Sequence, residues 1–249
     1  MNELIEKIYR DRRVEGQGGE MHELHSGIDR EEGAFLTSII AADPSIRKTL
    51  EVGCAYGLSS LFICDTLNGR EGAHHTIIDP FQKTEWDGVG LKNLEKAGFD
   101  FYTLIETRSE FALPQLLERG EEQFDLIFID GFHTFDHTLL DCFYATRLLR
   151  VGGVLVLDDV GFASVKRVVG FLKTYPCYEE ISSIGYDPPK MLKRTVAGIL
   201  SVPLSPETWG KVVSARLYRK IFDLQKIEMI ALKKVSPDER DSNWHVDAF

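Results

Sequence analysis

Five short apolar runs alternate strictly with helical stretches through the middle of this chain, and that alternation restricts its fold more than any other feature. The runs are TLEVG (49–53), HTIID (75–79), FYTLIE (101–106), FDLIFID (124–130) and GGVLVLDD (152–159). Each is nearly continuous in hydrophobic residues, as strands are when helices cover both faces of a parallel sheet. Helices are expected between and after them at Ser59–Leu67, Gly88–Ala97, Ser109–Gly120, His137–Leu149 and Ala163–Thr174. Such succession reads as right-handed βαβ units. After Thr174 the alternation stops, and Tyr178–Ser183 and Ile227–Lys233 are expected to pair as an antiparallel edge. The expected fold class is α/β: a doubly wound, mostly parallel, seven-stranded Rossmann-like sheet with an antiparallel last strand.

Around this centre three further regions are expected. Residues 1–45 read as a cap of two or three helices with a break at Gly16–Gly19, ahead of a main domain spanning 46–235. An insertion at 185–224, holding four prolines and a helical stretch Pro206–Leu224, is too long for a hairpin turn. It is expected to act as a lid over the site or as a dimer arm, which makes a homodimer one expected assembly. The tail 236–249 is polar and expected to be loose.

Charge and cysteine content narrow the function. The formal net charge is −10 and the isoelectric point about 5.2, so the long-range field does not favour polyanions, and nucleic acid is an unexpected partner. Basic residues cluster only around Lys190–Arg194 and Lys211–Lys220. Cys54, Cys64, Cys142 and Cys177 lie far apart without a CxxC pair, so neither structural zinc nor a disulfide framework is expected. No apolar run is long enough to cross a bilayer and the charged N-terminus lacks a signal core, which gives a cytoplasmic address and no membrane partner.

The chemistry-bearing residues sit at the ends of the expected strands. The first strand runs into Glu51-Val-Gly53-Cys-Ala-Tyr-Gly57 and then a helix. Glycines at such a turn let backbone approach a ligand at the switch point where open α/β sheets bind. A dinucleotide fingerprint would need glycine where Ala55 and Leu58 stand, so a pyrophosphate cradle is disfavoured and a nucleoside without phosphates fits better. Asp79, ending the second strand, is placed to accept both ribose hydroxyls.

These segments, LEVGCAYGLSSLFI, TIIDPF and FDLIFIDGFHTFDHTLLDCFYATRLLRVGGVLVLDD, resemble class I S-adenosylmethionine (SAM)-dependent methyltransferases over about residues 25–175. In particular they are similar to the metal-dependent O-methyltransferases of catechol, caffeoyl-CoA and macrocin type. The resemblance implies that Glu51, Gly53 and Gly57 surround the methionine and ribose of SAM, with Asp79 on the ribose hydroxyls. It also implies that Thr107-Arg-Ser109-Glu110 flanks adenine and that Asp29-Arg-Glu-Glu32-Gly33-Ala-Phe-Leu closes over the methionine end.

Three acids end two strands, Asp130 after FDLIFI and Asp158-Asp159 after GVLVL. Adjacent strands would bring them within about 5 Å, where carboxylates repel unless protonated or bound to a cation. Mg²⁺ or another hard divalent cation would resolve the conflict and hold a substrate hydroxyl. The resemblance puts the metal on the same three residues, with Asp130 also facing the cofactor, and Asp159 where the catechol and caffeoyl types usually carry Asn leans toward the macrocin-like branch. His133 falls where that branch carries a general base, whereas Phe132 replaces an acid many relatives have; His137 receives no role. The expected activity is methyl transfer from SAM to a small-molecule hydroxyl. A metal-independent SAM enzyme acting on nitrogen or an RNA base, and a non-catalytic SAM-binding regulatory protein, stay open. An NAD-dependent oxidoreductase ranks last.

Overall fold

The computed structural model describes residues 2–120, 123–186 and 226–246. Within them the chain runs α1 (Glu3–Asp11), β1 (Arg13–Glu15), β2 (Met21–Glu23), α2 (Arg30–Ala42), β3 (Lys48–Val52), α3 (Leu58–Leu67), β4 (His74–Ile78), α4 (Val89–Lys96) and β5 (Tyr102–Ile105). It continues through α5 (Ser109–Glu118), β6 (Phe124–Ile129), α6 (Phe135–Leu148), β7 (Leu149–Leu157), α7 (Ala163–Leu172), β8 (Tyr178–Tyr186) and β9 (Lys226–Lys234).

The seven-stranded sheet has the order β5-β4-β3-β6-β7-β9-β8. Strands β3 to β7 pair in parallel, and β9 pairs antiparallel with both β7 and β8. Because side chains alternate across a strand, neighbouring residues enter different cores. Leu126, Phe128, Val154 and Val156 face α1 to α4, whereas Leu50, Val52, Ile127, Ile129 and Leu155 face α5 to α7. This burial on both faces is why the strand sequences are apolar throughout rather than alternating. The strand order reverses between β3 and β6, which opens a crevice beyond their carboxyl ends.

Two regions depart from the sequence-based expectation. The N-terminal segment is not all helix: Gly16–Gly19 closes a small antiparallel hairpin, β1 with β2, between α1 and α2. Hairpin and α4 are joined by Lys92 and Lys96 on Glu15 and by His22 on Asp87. The tail is also not loose over its described part. Arg240 lies 3.2 Å from the centre of the Tyr175 ring and pairs with Asp238, while Trp244 meets Phe171 and Tyr175 edge-on or tilted. These contacts follow from aromatic residues scattered among polar ones, which a polarity count does not register. The insertion and its helical stretch Pro206–Leu224 lie, apart from Gly185 and Tyr186, outside the described residues, as do both basic clusters. No described helix is long and apolar enough to cross a membrane, and all four cysteines are buried and free.

Candidate active site

The crevice at the switch point encloses about 200 Å³ and opens to solvent at its mouth. Its floor is the turn Val52–Ala55, one side is Asp79–Phe81 with Arg108–Glu110, and the other is Asp130–His133. Ser26 and Gly27 of the segment before α2 complete the wall, with Trp86.

The glycine turn is fastened from several directions. Gly53 N–H donates to Ile78 O at 2.9 Å and Asp130 N–H to Val52 O at 2.9 Å, so the end of β3 is held between β4 and β6. Gly53 has φ +91°, and a Cβ there would fall 2.0 Å from the Asp130 carbonyl oxygen. Its glycine is thus demanded by the neighbouring strand as much as by any ligand. Gly57 caps α3 at φ +76°, where a Cβ would meet the Gly90 carbonyl at 2.8 Å. Ala55 is left-handed without being glycine, φ +47°, a conformation that costs an L-residue roughly 1–2 kcal/mol.

Asp79 explains how that turn is held. Its Oδ2 accepts from Cys54 N–H (3.0 Å), Ala55 N–H (2.9 Å) and Gln82 Nε2 (3.1 Å), and Oδ1 accepts from Phe81 N–H (2.8 Å). Gln82, wholly buried, also donates to the Ala55 carbonyl at 2.8 Å. No motif pointed to Gln82; its only signal is its place three residues after Asp79. Glu51 does not line the crevice. It is fully buried beneath the turn, accepting from Ser60 Oγ and facing His75 Nε2 at 3.0 Å, with His75 in turn on Thr49. Ser109 and Glu110 do line it, at the head of α5. Phe81 and Phe132 meet edge to face, 6.2 Å between ring centres, at the same end.

The opposite end is acidic. The adjacency of β6 and β7 brings the ends of both strands together as their sequences require. Ligand atoms of Asp130, His133 and Asp159 lie within 4.8 Å of one another. His133 Nε2 is 3.2 Å from Asp159 Oδ2, its ring stacks on Phe162 and its carbonyl accepts from Ser164. Asp158 sits behind this group, 6% exposed, with Oδ1 accepting Asp159 N–H at 2.7 Å. Of the expected three-aspartate set, then, two converge, and His133 converges with them. Asp159 is left-handed, φ +54°, a strain tolerated by Asp that turns its carboxylate toward His133.

Burial, then the neighbouring Asp158 and Asp159, raises the Asp130 carboxyl far above its usual range. Asp158 is pushed up to about 8, by burial first and then by Glu32. Glu32, at the start of α2, is raised by burial and by Asp29, Glu228 and Asp159. Carboxyls in this state either hold protons or hold a cation. Oxygen donors with one imidazole fit a hard or borderline divalent ion such as Mg²⁺ or Mn²⁺. At the other end, the turn's close backbone approach fits a nucleoside.

Comparison with known proteins agrees with this geometry. Residues 50–160 match the family described as methyltransferase domain. The catechol O-methyltransferase of Niastella koreensis is 31% identical over 137 residues, covering 53% of this chain and 58% of that protein. An O-methyltransferase from Bacillus cereus, solved in complex with SAH, superposes with a TM-score of 0.64 at 15% identity, covering 94% of this chain and 92% of its own. The O-methyltransferase TomG from Streptomyces achromogenes, solved with SAM, gives 0.61 at 16% identity, covering 93% and 89%. The chain thus has the fold of these methyltransferase structures, carries a match to the methyltransferase-domain family over residues 50–160, and spans less than two thirds of the length of the catechol O-methyltransferase it resembles.

Proposed function

We propose that this protein transfers the methyl group of SAM to a hydroxyl of a small molecule, with a divalent cation at the acidic end of the crevice. The observation that carries the reading is one cavity with two unlike ends: a fastened glycine turn at one and the converging Asp130, His133 and Asp159 at the other. Asp79, Ser109 and Glu110 would hold the nucleoside of SAM, and the converging Asp130 and Asp159 the cation, with Asp158 behind them adding negative charge.

The reaction balances simply. The acceptor oxygen bonds the methyl carbon, the carbon–sulfur bond breaks with its electrons going to sulfur, and SAH and the hydroxyl proton are released. A bound cation would lower the pKa of the acceptor hydroxyl and fix its position. His133, whose Nε2 is oriented by Asp159 at 3.2 Å, would take the proton through Nδ1. Phe132 and Phe162, 45% and 52% exposed, rim that end and would exclude water once an acceptor lies against them. The turn and Phe81, which line the crevice, would hold and orient the methyl donor.

A second reading has one observation behind it. The His133–Asp159 pair is already a base with its orienting acid, and such a pair can work without metal. Incubating the protein with labelled SAM, a panel of phenols, sugars and polyketides, and either Mg²⁺ or excess chelator separates the two. Label transferred only with the ion supports the first; equal transfer under chelator supports the second; no transfer to any hydroxyl contradicts both.

A further inference from the structure

Two cavities share a wall. Ser26 and Gly27, in the segment that leads from β2 to α2, line the crevice on one side and a second cavity of about 470 Å³ on the other. Tyr9, Arg12, His25 and Arg30 bound that second cavity, and the proposed reaction does not use it. The wall is thus a single pass of the chain with space behind it.

The ends of the wall are fastened from the side of the second cavity. Leu24 N–H donates to the Arg12 carbonyl at 2.9 Å, and the Tyr9 hydroxyl donates to the Ile28 carbonyl at 2.8 Å. Its middle is fastened to the glycine turn by His25. The Nε2 of that exposed histidine shares a 2.7 Å hydrogen bond with the hydroxyl of Tyr56, a turn residue that is itself 3% exposed. Among the described residues this is the one hydrogen bond between residues 24–28 and the turn. Trp86, in the crevice wall, meets both rings, at 5.2 Å from Tyr56 and 6.1 Å from His25.

The two partners of the bond are unequal. Tyr56 is held in place, because its carbonyl accepts from the buried Asn93 side chain at 2.9 Å and the neighbouring Gly57 lies against Gly90. The wall is seated on α3 by contact alone: a Cβ at Gly27 would fall 2.8 Å from Leu58 Cδ1. His25 is therefore the movable end of the bond and Tyr56 the fixed one.

We propose that His25 is a positioning residue for cofactor exchange: its bond to Tyr56 keeps Ser26 and Gly27 seated against the crevice, and the wall swings toward the second cavity when the cofactor enters or leaves. This rests on the reading above that the crevice takes SAM and SAH. The bond involves no ligand atom, so losing it favours the open wall equally with and without cofactor. Entry and release then quicken together, and the equilibrium affinity stays where it was.

The test measures SAH association and release by surface plasmon resonance on the tethered full chain in chelator. His25→Ala and Tyr56→Phe should each quicken both rates by about five- to tenfold, the scale of one hydrogen bond, with affinity within about twofold of wild type. Amide hydrogen exchange over residues 24–28 should quicken by a similar factor while β3 to β7 keep their protection. His25→Gln, which can set a side-chain nitrogen on the same hydroxyl, should restore slow exchange. The double variant should be no faster than either single one. A residue that merely supported the fold would weaken SAH binding and lower the melting temperature without moving the two rates together. Unchanged rates in both single variants, or two effects that add in the double variant, overturn this inference only. Failure of wild type to bind SAH overturns the cofactor reading and this inference with it.

Discussion

The two ends of the crevice are built on opposite principles. The glycine turn is held by hydrogen bonds already made: Asp79 takes four donors and Gln82 bridges it to the Ala55 carbonyl. At the acidic end charge is in excess, with Asp130 and Asp158 both raised and Glu32 behind them. The first arrangement is finished before any ligand arrives, so binding there costs little rearrangement. The second is incomplete, because three neighbouring carboxyls are stable together only with protons or a cation. The contrast implies that nucleoside affinity and metal affinity are separable properties of one pocket.

The strongest way to break that comparison is at the acidic end. Asp158→Ala should lower turnover by about 10³-fold, the scale on which a charge-stabilising group is lost, while SAH affinity stays within about threefold. Radiolabel transfer and calorimetry on the same preparation check it, and parallel losses in both would join the two ends after all. His133→Ala should slow transfer by about 10²- to 10⁴-fold and leave ion affinity in place. A tenfold or greater loss of Mn²⁺ affinity in that variant would make His133 a ligand rather than a base, as its convergence with Asp130 and Asp159 also permits.

At the nucleoside end the effects should be structural first. Gly53→Ala forces a Cβ against the Asp130 carbonyl from a left-handed φ, so it should cost about 2–4 kcal/mol and lower the melting temperature by roughly 5–10 °C. Normal stability with lost SAH binding would make that glycine a demand of the ligand alone. The smallest effect concerns Asp141. Its folded-state pKa lies above the unfolded value, from 3.8 to about 6, so the folded state binds the proton more tightly. Wild-type stability contributed by this group falls as pH rises from about 4 to 6. Asp141→Asn removes that dependence, so relative to wild type it should gain about 1–3 kcal/mol between pH 4.5 and pH 7.5. Denaturant melts at the two pH values read this directly.

Much of this molecule was legible in its sequence, for identifiable reasons. The five parallel strands and five helices show because burial on both faces leaves continuous apolar runs, and β8 with β9 was legible as an antiparallel edge. The N-terminal hairpin was not, since three-residue strands such as Arg13–Glu15 carry no periodic signal. Among site residues, strand-end acids could be read because topology alone puts strand ends together. What could not be read was which way each side chain turns. Glu51 dives under the turn to His75, Asp158 retreats behind Asp159, and Gln82 fastens the turn from a position that no motif marks.

Separability of the two ends is tested most directly by one pair of calorimetric titrations on wild type and Asp159→Ala. Mn²⁺ is titrated into each protein, and SAH into each with excess chelator. Wild type should bind one ion per chain at the crevice, Asp159→Ala should bind it at least about tenfold more weakly, and SAH affinity should agree between the two within about threefold. Equal ion affinity in both proteins, or SAH binding that disappears under chelator, would contradict the account.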